Sequence, residues 1–179
     1  MSETLIIARA PISSPDATTL IARLDTELLE LYPDSANSHP ELTATEVSAG
    51  HGVFLIARRA GEPVGCGALC RLDGSAGEIR RMYVLPSARG AGVGRHLLGE
   101  LERNAEQMGL QRLILITGIR QPAAIHMYEG SGFTRAPAPS EHKKYPVRVY
   151  MIKELTTRHT PHGQGPGTGI DLVCLGRSG

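Results

Sequence analysis

The chain has 179 residues, 19 basic and 18 acidic, with a net charge of +1. It therefore offers no cationic field for nucleic acid or an anionic membrane, and small molecules or peptides become the expected partners. That length suits one domain with a sizeable core, which must be aliphatic because there is no tryptophan and only two phenylalanines.

The opening Met1-Ser2-Glu3-Thr4 has neither a basic start nor a long apolar stretch, and no later run is long enough to cross a bilayer, which predicts a cytoplasmic protein. Leu5-Ile6-Ile7-Ala8 reads as a short first strand. Ser14-Pro15 then supplies an N-cap and a proline at the first helical position. Leu20, Ile21, Leu24, Leu28 and Leu31 keep helical spacing until Pro33 stops the helix. Residues 34–40 are polar and predict a loop, with a short helix from Glu41 after it.

Three apolar runs at 53–58, 64–71 and 78–85, separated by Gly61-Glu62-Pro63 and Asp73-Gly74-Ser75, predict an antiparallel meander. Cys66 and Cys70 on one strand would face the same side about 13 Å apart, since each residue rises about 3.3 Å, and could not pair. With Cys174 they make three cysteines, too few for a disulfide framework, so reduced structural thiols are expected. His51 receives a structural reading as well.

Val93, Leu97, Leu98, Leu101, Ala105 and Met108 mark the buried face of a second helix, which Gly109 ends. Leu113-Ile114-Leu115-Ile116 predicts a fully buried strand, parallel to the run at 78–85 because a helix crosses over between them. Pro122 opens a helix that runs through Ser131, Phe133-Thr134-Arg135 begins the next strand, and 147–152 is the last. Beyond Leu155, alternating Gly163, Gly165, Gly167 and Gly169 with Pro166 cannot repay their ordering entropy, so a domain at 1–155 and a flexible tail at 156–179 are expected. His159 and His162 in that tail have no third ligand near in sequence and read as solvated.

The run Arg89-Gly90-Ala91-Gly92-Val93-Gly94 sits between the strand at 78–85 and the second helix. A glycine-rich turn opening a helix gathers unpaired N–H groups at the positive end of the helix dipole, so it cradles a phosphate. The dinucleotide fingerprint needs a third glycine where Arg95 stands, and no Gly-Lys-Ser or Gly-Lys-Thr occurs for a nucleotide-triphosphate loop. What remains, Arg89 followed by Gly92 and Gly94, resembles the pyrophosphate loop of the Gcn5-related N-acetyltransferase (GNAT) superfamily. Glu78-Ile79-Arg80-Arg81-Met82-Tyr83-Val84 before it and Ala124-Ile125-His126-Met127-Tyr128-Glu129-Gly130-Ser131-Gly132-Phe133 after it match that family's other two signatures. The resemblance spans roughly the first 155 residues. It departs where many members carry Asn near the start of the later helix; here Arg120-Gln121-Pro122 stands, and Gln121 is the residue available for that polar contact.

The resemblance implies an α/β fold. Its mixed, mostly antiparallel sheet has six to seven strands and helices on both faces, and a central parallel pair splays at the cofactor. It implies acetyl-CoA as cosubstrate, no metal, and direct attack by a primary amine in a ternary complex. The pyrophosphate would lie on the main chain of Gly90, Ala91, Gly92, Val93, Gly94 and Arg95, with charge from the Arg89 and Arg95 side chains. The pantetheine arm would pair with the backbone of Met82, Tyr83 and Val84, and the amide near Met82 would take the oxyanion. As side chains those three also read simply as a buried strand.

Tyr128 would protonate the departing thiolate, its phenol keeping its proton at neutral pH; by helical spacing alone it reads equally as core. Glu78 fits two roles, a general base acting through water or a solvated strand end paired with Arg80 or Arg81. The acceptor should be walled by 31–43 and 136–145, where Glu141-His142-Lys143-Lys144-Tyr145 reads either as a site for an acidic group or as a solvated charge run. A non-catalytic acyl-CoA sensor of the same fold and a protein lysine or N-terminal acetyltransferase remain as alternatives. A homodimer is compatible with the family.

Overall fold

The computed structural model describes residues 4–35, 41–139 and 146–155. In chain order the elements are β1 (Leu5–Arg9), α1 (Pro15–Leu31), β2 (Gly52–Arg59), β3 (Glu62–Arg71), β4 (Ala76–Val84), α2 (Val93–Gln107), β5 (Arg112–Gly118), α3 (Pro122–Glu129), β6 (Thr134–Ala136) and β7 (Arg148–Glu154). One mixed sheet orders its seven strands β1-β2-β3-β4-β5-β7-β6. Among the described strands only β4 and β5 pair in parallel, as the crossover through α2 requires. None of the described helices is long and apolar enough to cross a membrane.

Each helix forms where local chemistry starts and stops it. Ser14 caps α1, its Oγ accepting from Ala17 N–H at 3.3 Å, and Pro15 takes the first position. The chain leaves α2 through Gly109 at φ +73, a left-handed turn that suits glycine. The stripe of α2 then buries Val93, Leu97, Leu98 and Leu101 almost completely against Leu55, Leu69, Ile79, Leu113 and Leu115 of the sheet. Each such leucine contributes about 1.5–3 kcal/mol through burial. On the opposite face Ala17, Leu20 and Leu24 of α1 cover Phe54, Ile56, Cys66, Ala68 and Cys70. Cys66 and Cys70 are buried on that one face as free thiols, and burial pushes their pKa values up to about 12 and about 11.

Three sequence expectations need correction. No helix starts at Glu41. Thr43 and Glu46 make the reciprocal bonds of a helix start, Glu46 Oε2 accepting from Thr43 N–H at 2.8 Å, but the chain turns over 44–47 and passes into β2. β5 is not fully buried, because it alternates: Leu113 and Leu115 face α2, while Ile114 and Ile116 are half-buried on the other side. The third helix stops at Glu129, two residues short of Ser131, where Gly130 caps it. His51 is exposed, its Nδ1 3.3 Å from Ser48 Oγ in the turn before β2. The tail from 156, with Cys174, His159 and His162, lies outside the described residues, as does the charged segment 140–145.

Candidate active site

β4 and β5 are paired only from Ala76 to Ile79 against Arg112 to Leu115. Beyond that point β5 keeps β7 as its partner and β4 keeps β3, so the two central strands part. Within the opening, β4 carries a bulge in which Arg81 and Met82 together face the single residue Gly67. Arg81 holds φ +55 there. The extra residue puts Arg80 and Arg81 both on the α1 side and returns Met82 and Val84 to the α2 core, with Tyr83 packed among the α1-side residues. The backbone of 80–84 thus runs along the opening with no strand on that edge among the described residues.

The chain leaves β4 through a short helical turn, Pro86–Ala88, and reaches the glycine run. Gly90 and Gly92 hold φ +77 and +79, and Gly92 sits at the N-terminus of α2. The first helical bond there runs from His96 N–H to Gly92 O at 3.0 Å. Among the described residues, no amide from Gly90 to Arg95 meets a backbone acceptor. A Cβ at Gly94 would come within 2.9 Å of Met127 Sδ, so the glycine lets the start of α2 lie against α3. Open amides, two left-handed glycines and a helix N-terminus fit a diphosphate.

The side chains around this loop divide. Arg89 turns back to the fold, donating to Val84 O at 2.9 Å and gripping Glu27 of α1 through two bonds of 2.7 and 2.9 Å, with its guanidinium 5.7 Å from the Tyr83 ring centre. Arg95 is exposed, its guanidinium near Gly130 at the end of α3. His96 was not singled out by sequence; its ring Nδ1 lies 2.9 Å from Gly92 O and closes the back of the turn.

Tyr128 comes from the last turn of α3 and is 5% exposed, its ring meeting Phe133 edge-on at 5.9 Å. Burial raises its phenol above the ordinary value, so it keeps its proton across the working pH range. Gln121 acts on the turn ahead of α3, where its Oε1 accepts from Gly118 N–H at 3.1 Å and from the Thr117 hydroxyl at 3.4 Å. Glu78 lies one residue before the strands part, on the α1 side. Its Oε2 is 4.0 Å from Arg80 Nε, and Arg80 in turn donates to Glu46 Oε1 at 2.8 Å. That arrangement supplies the ion pair expected of a strand end and also leaves Glu78 beside the opening.

A cavity of about 750 Å³ lies on the α1 side, between α1, residues 41–44 and Arg81. Tyr32, Leu42 and Thr43 in its wall belong to the 31–43 stretch anticipated for the acceptor; residues 136–139 do not line it. Sequence reasoning gave Arg81 and Tyr32 no separate role there. The signal for Arg81 was available, since two consecutive charged residues interrupt the alternation of β4. Tyr32 had no such signal. Its hydroxyl accepts from Arg120 N–H at 2.8 Å, and Arg120 Nη1 donates to Leu31 O at 2.7 Å, clasping the end of α1 to the end of β5.

A parting parallel pair, a bulged strand edge and an open amide cradle fit the site for a diphosphate-bearing acyl carrier that the sequence resemblance implies. The model of the Acetyltransferase (GNAT) family matches residues 18–133, and the chain belongs to this family as an acetyl-CoA-dependent N-acetyltransferase. An IAA acetyltransferase of Azospirillum brasilense is 37% identical over 150 residues, 83% of this chain and 97% of that protein. A Klebsiella pneumoniae structure described as an acyl-CoA N-acyltransferase superposes with a TM-score of 0.71 at 31% identity, covering 85% of this chain and 98% of that one. A GNAT acetyltransferase of Elizabethkingia anophelis, solved with acetyl-CoA bound, shares the fold with a TM-score of 0.61 at 20% identity, over 84% and 98% of the two chains.

Proposed function

We propose that the protein transfers the acetyl group of acetyl-CoA to a primary amine of a small molecule or peptide by direct attack in a ternary complex. The observation that carries this is the early parting of β4 from β5, which leaves the bulged edge at Met82 open between the amide cradle and the α1-side cavity. The amides of 90–95 hold the diphosphate, with Arg95 adding charge. The backbone of Met82 to Val84 aligns the pantetheine arm, and Met82 N–H stabilises the developing oxyanion, a task main chain performs without reorganising. Gln121 shapes the turn that sets α3, and α3 presents Tyr128.

An ammonium of pKa about 10.4 is almost wholly protonated at pH 7, so the attacking amine must first lose a proton. Glu78 accepts it through water at the edge of the opening, and Tyr128 hands its own proton to the departing sulfur. Release of free CoA thiol from acetyl-CoA with a panel of amines tests the proposal. Tyr128→Phe should lower kcat about a hundredfold while leaving CoA affinity unchanged, the scale expected for a lost general acid. Tight binding with no thiol release across the panel would instead identify a sensor, and release with peptides alone a protein acetyltransferase.

A further inference from the structure

Among the described residues, the α1-side cavity is walled mainly by apolar side chains, Ile21, Leu28 and Leu42 among them, with one cation, Arg81, and the carboxylates of Asp25 and Glu41. The Arg81 side chain is only 10% exposed, and its Nη1 lies 2.5 Å from Asp25 Oδ1, whose own side chain is 52% exposed. A guanidinium so far out of water needs an anion beside it. Asp25 stands at the solvent edge and can turn outward when another carboxylate arrives, an exchange that leaves the local charge unaltered. The backbone adds a second, independent observation. Arg81 holds φ +55, where a glycine would sit without strain, so the bulge sets this long cation on the cavity wall at a conformational cost.

We infer that the acceptor is an α-amino acid with an apolar side chain, an assignment that rests on the acetyl-transfer reading above. Its carboxylate pairs with Arg81 in bidentate fashion and its side chain fills the cavity. Its amine, two bonds from the carboxylate carbon, is held in the same cavity, whose wall Arg81 shares with the bulged edge of β4. Glu41 on the same wall repels a second carboxylate, so aspartate and glutamate are disfavoured. In the reaction the neutral nitrogen bonds to the acetyl carbon and the C–S bond breaks with its electron pair on sulfur. Sulfur gains a proton and the nitrogen loses one, giving the N-acetyl amino acid and CoA thiol.

The test measures thiol release by the full chain with leucine, glutamate and 3-methylbutylamine, which is leucine without its carboxylate, with rates referred to the unprotonated amine. Leucine should exceed both others in kcat/KM by roughly tenfold or more, the scale of one charge-assisted contact. Arg81→Met should raise the KM for leucine by about the same factor with kcat little changed, and leave the KM for 3-methylbutylamine where it was. Arg81→Lys should fall between. Equal kcat/KM for leucine and 3-methylbutylamine, or an equal effect of Arg81→Met on both, would overturn the assignment while leaving acetyl transfer to amines intact. Binding of acetyl-CoA without release from any amine would overturn that broader reading and this one together. Should Arg81→Met fail to fold, the comparison of substrates on the unaltered protein and on Arg81→Lys decides.

Discussion

The two faces of β4 present different kinds of chemistry. Towards α2 the strand offers Ile79, Met82 and Val84 to a dry core, and what it gives the opening is backbone. Towards α1 it offers Glu78, Arg80 and Arg81, charges engaged with Glu46 and Asp25 beside a cavity. A carrier common to a whole family can be held by amides and glycines, which every chain possesses. An acceptor that differs between members has to be chosen by side chains. A one-residue bulge separates the two, because it lets consecutive arginines face one way before the alternation resumes.

The contrast is open to experiment, and the largest effect should come from the cradle. Gly92→Val forces a branched side chain into φ +79, which should weaken acetyl-CoA binding tenfold or more by calorimetry, at a cost of about 1–2 kcal/mol. Rates should fall by one common factor for every amine; a loss that varied with the amine would break the division proposed for the two faces. Gly118→Ala strikes the clasp that joins them, since its Cβ would stand 2.0 Å from Tyr32 Oη. Displacing that buried ring should cost about 2–3 kcal/mol, read as a fall in Tm, and should impair acceptor and cofactor binding alike.

Arg80→Gln is the sharper, smaller probe. It removes the ion pair that ties Glu46 and the cavity wall to β4, so KM for the amine should rise several-fold while the affinity for CoA stays put. The effect of pH is absent at neutrality and appears only in the alkaline range. Burial raises Cys66 to about 12 and Cys70 to about 11, so both thiols stay neutral in the folded state while an unfolded chain ionises near its reference value of about 8.5. Stability is therefore complete below about pH 8.5 and is lost as pH rises towards 11–12, which a series of Tm measurements from pH 8 to 11 would record. Tyr128 is raised too, so between pH 8 and 10 activity should show no alkaline fall from loss of its proton.

Much of this was legible before any coordinates. Ser14-Pro15, the stripe from Val93 to Leu101 and the turn at Gly109 each declare a helix boundary or face, because capping and periodic burial act within a few residues. The same locality explains the failure at Glu41. Thr43 and Glu46 carry a helix-start pattern, yet Arg80 holds Glu46 and the chain enters β2 within a few residues. At the site, Arg89 has a partner that no local pattern announced. Its place in the loop motif suggested a phosphate contact, and only the packing of α1 shows Glu27 within its reach.

By itself, then, the order of residues determined most of the elements, the glycine turn ahead of α2 and the family, because those depend on near neighbours and on backbone conformations that glycine and proline announce. Tertiary structure alone decided where β4 and β5 part, that Arg81 meets Asp25 across 56 residues of chain, and that Tyr32 closes on Gly118. The reason is physical: each of these is a contact between segments distant in sequence, set by how a twisted sheet and two helices share space and not by any propensity a local stretch can carry.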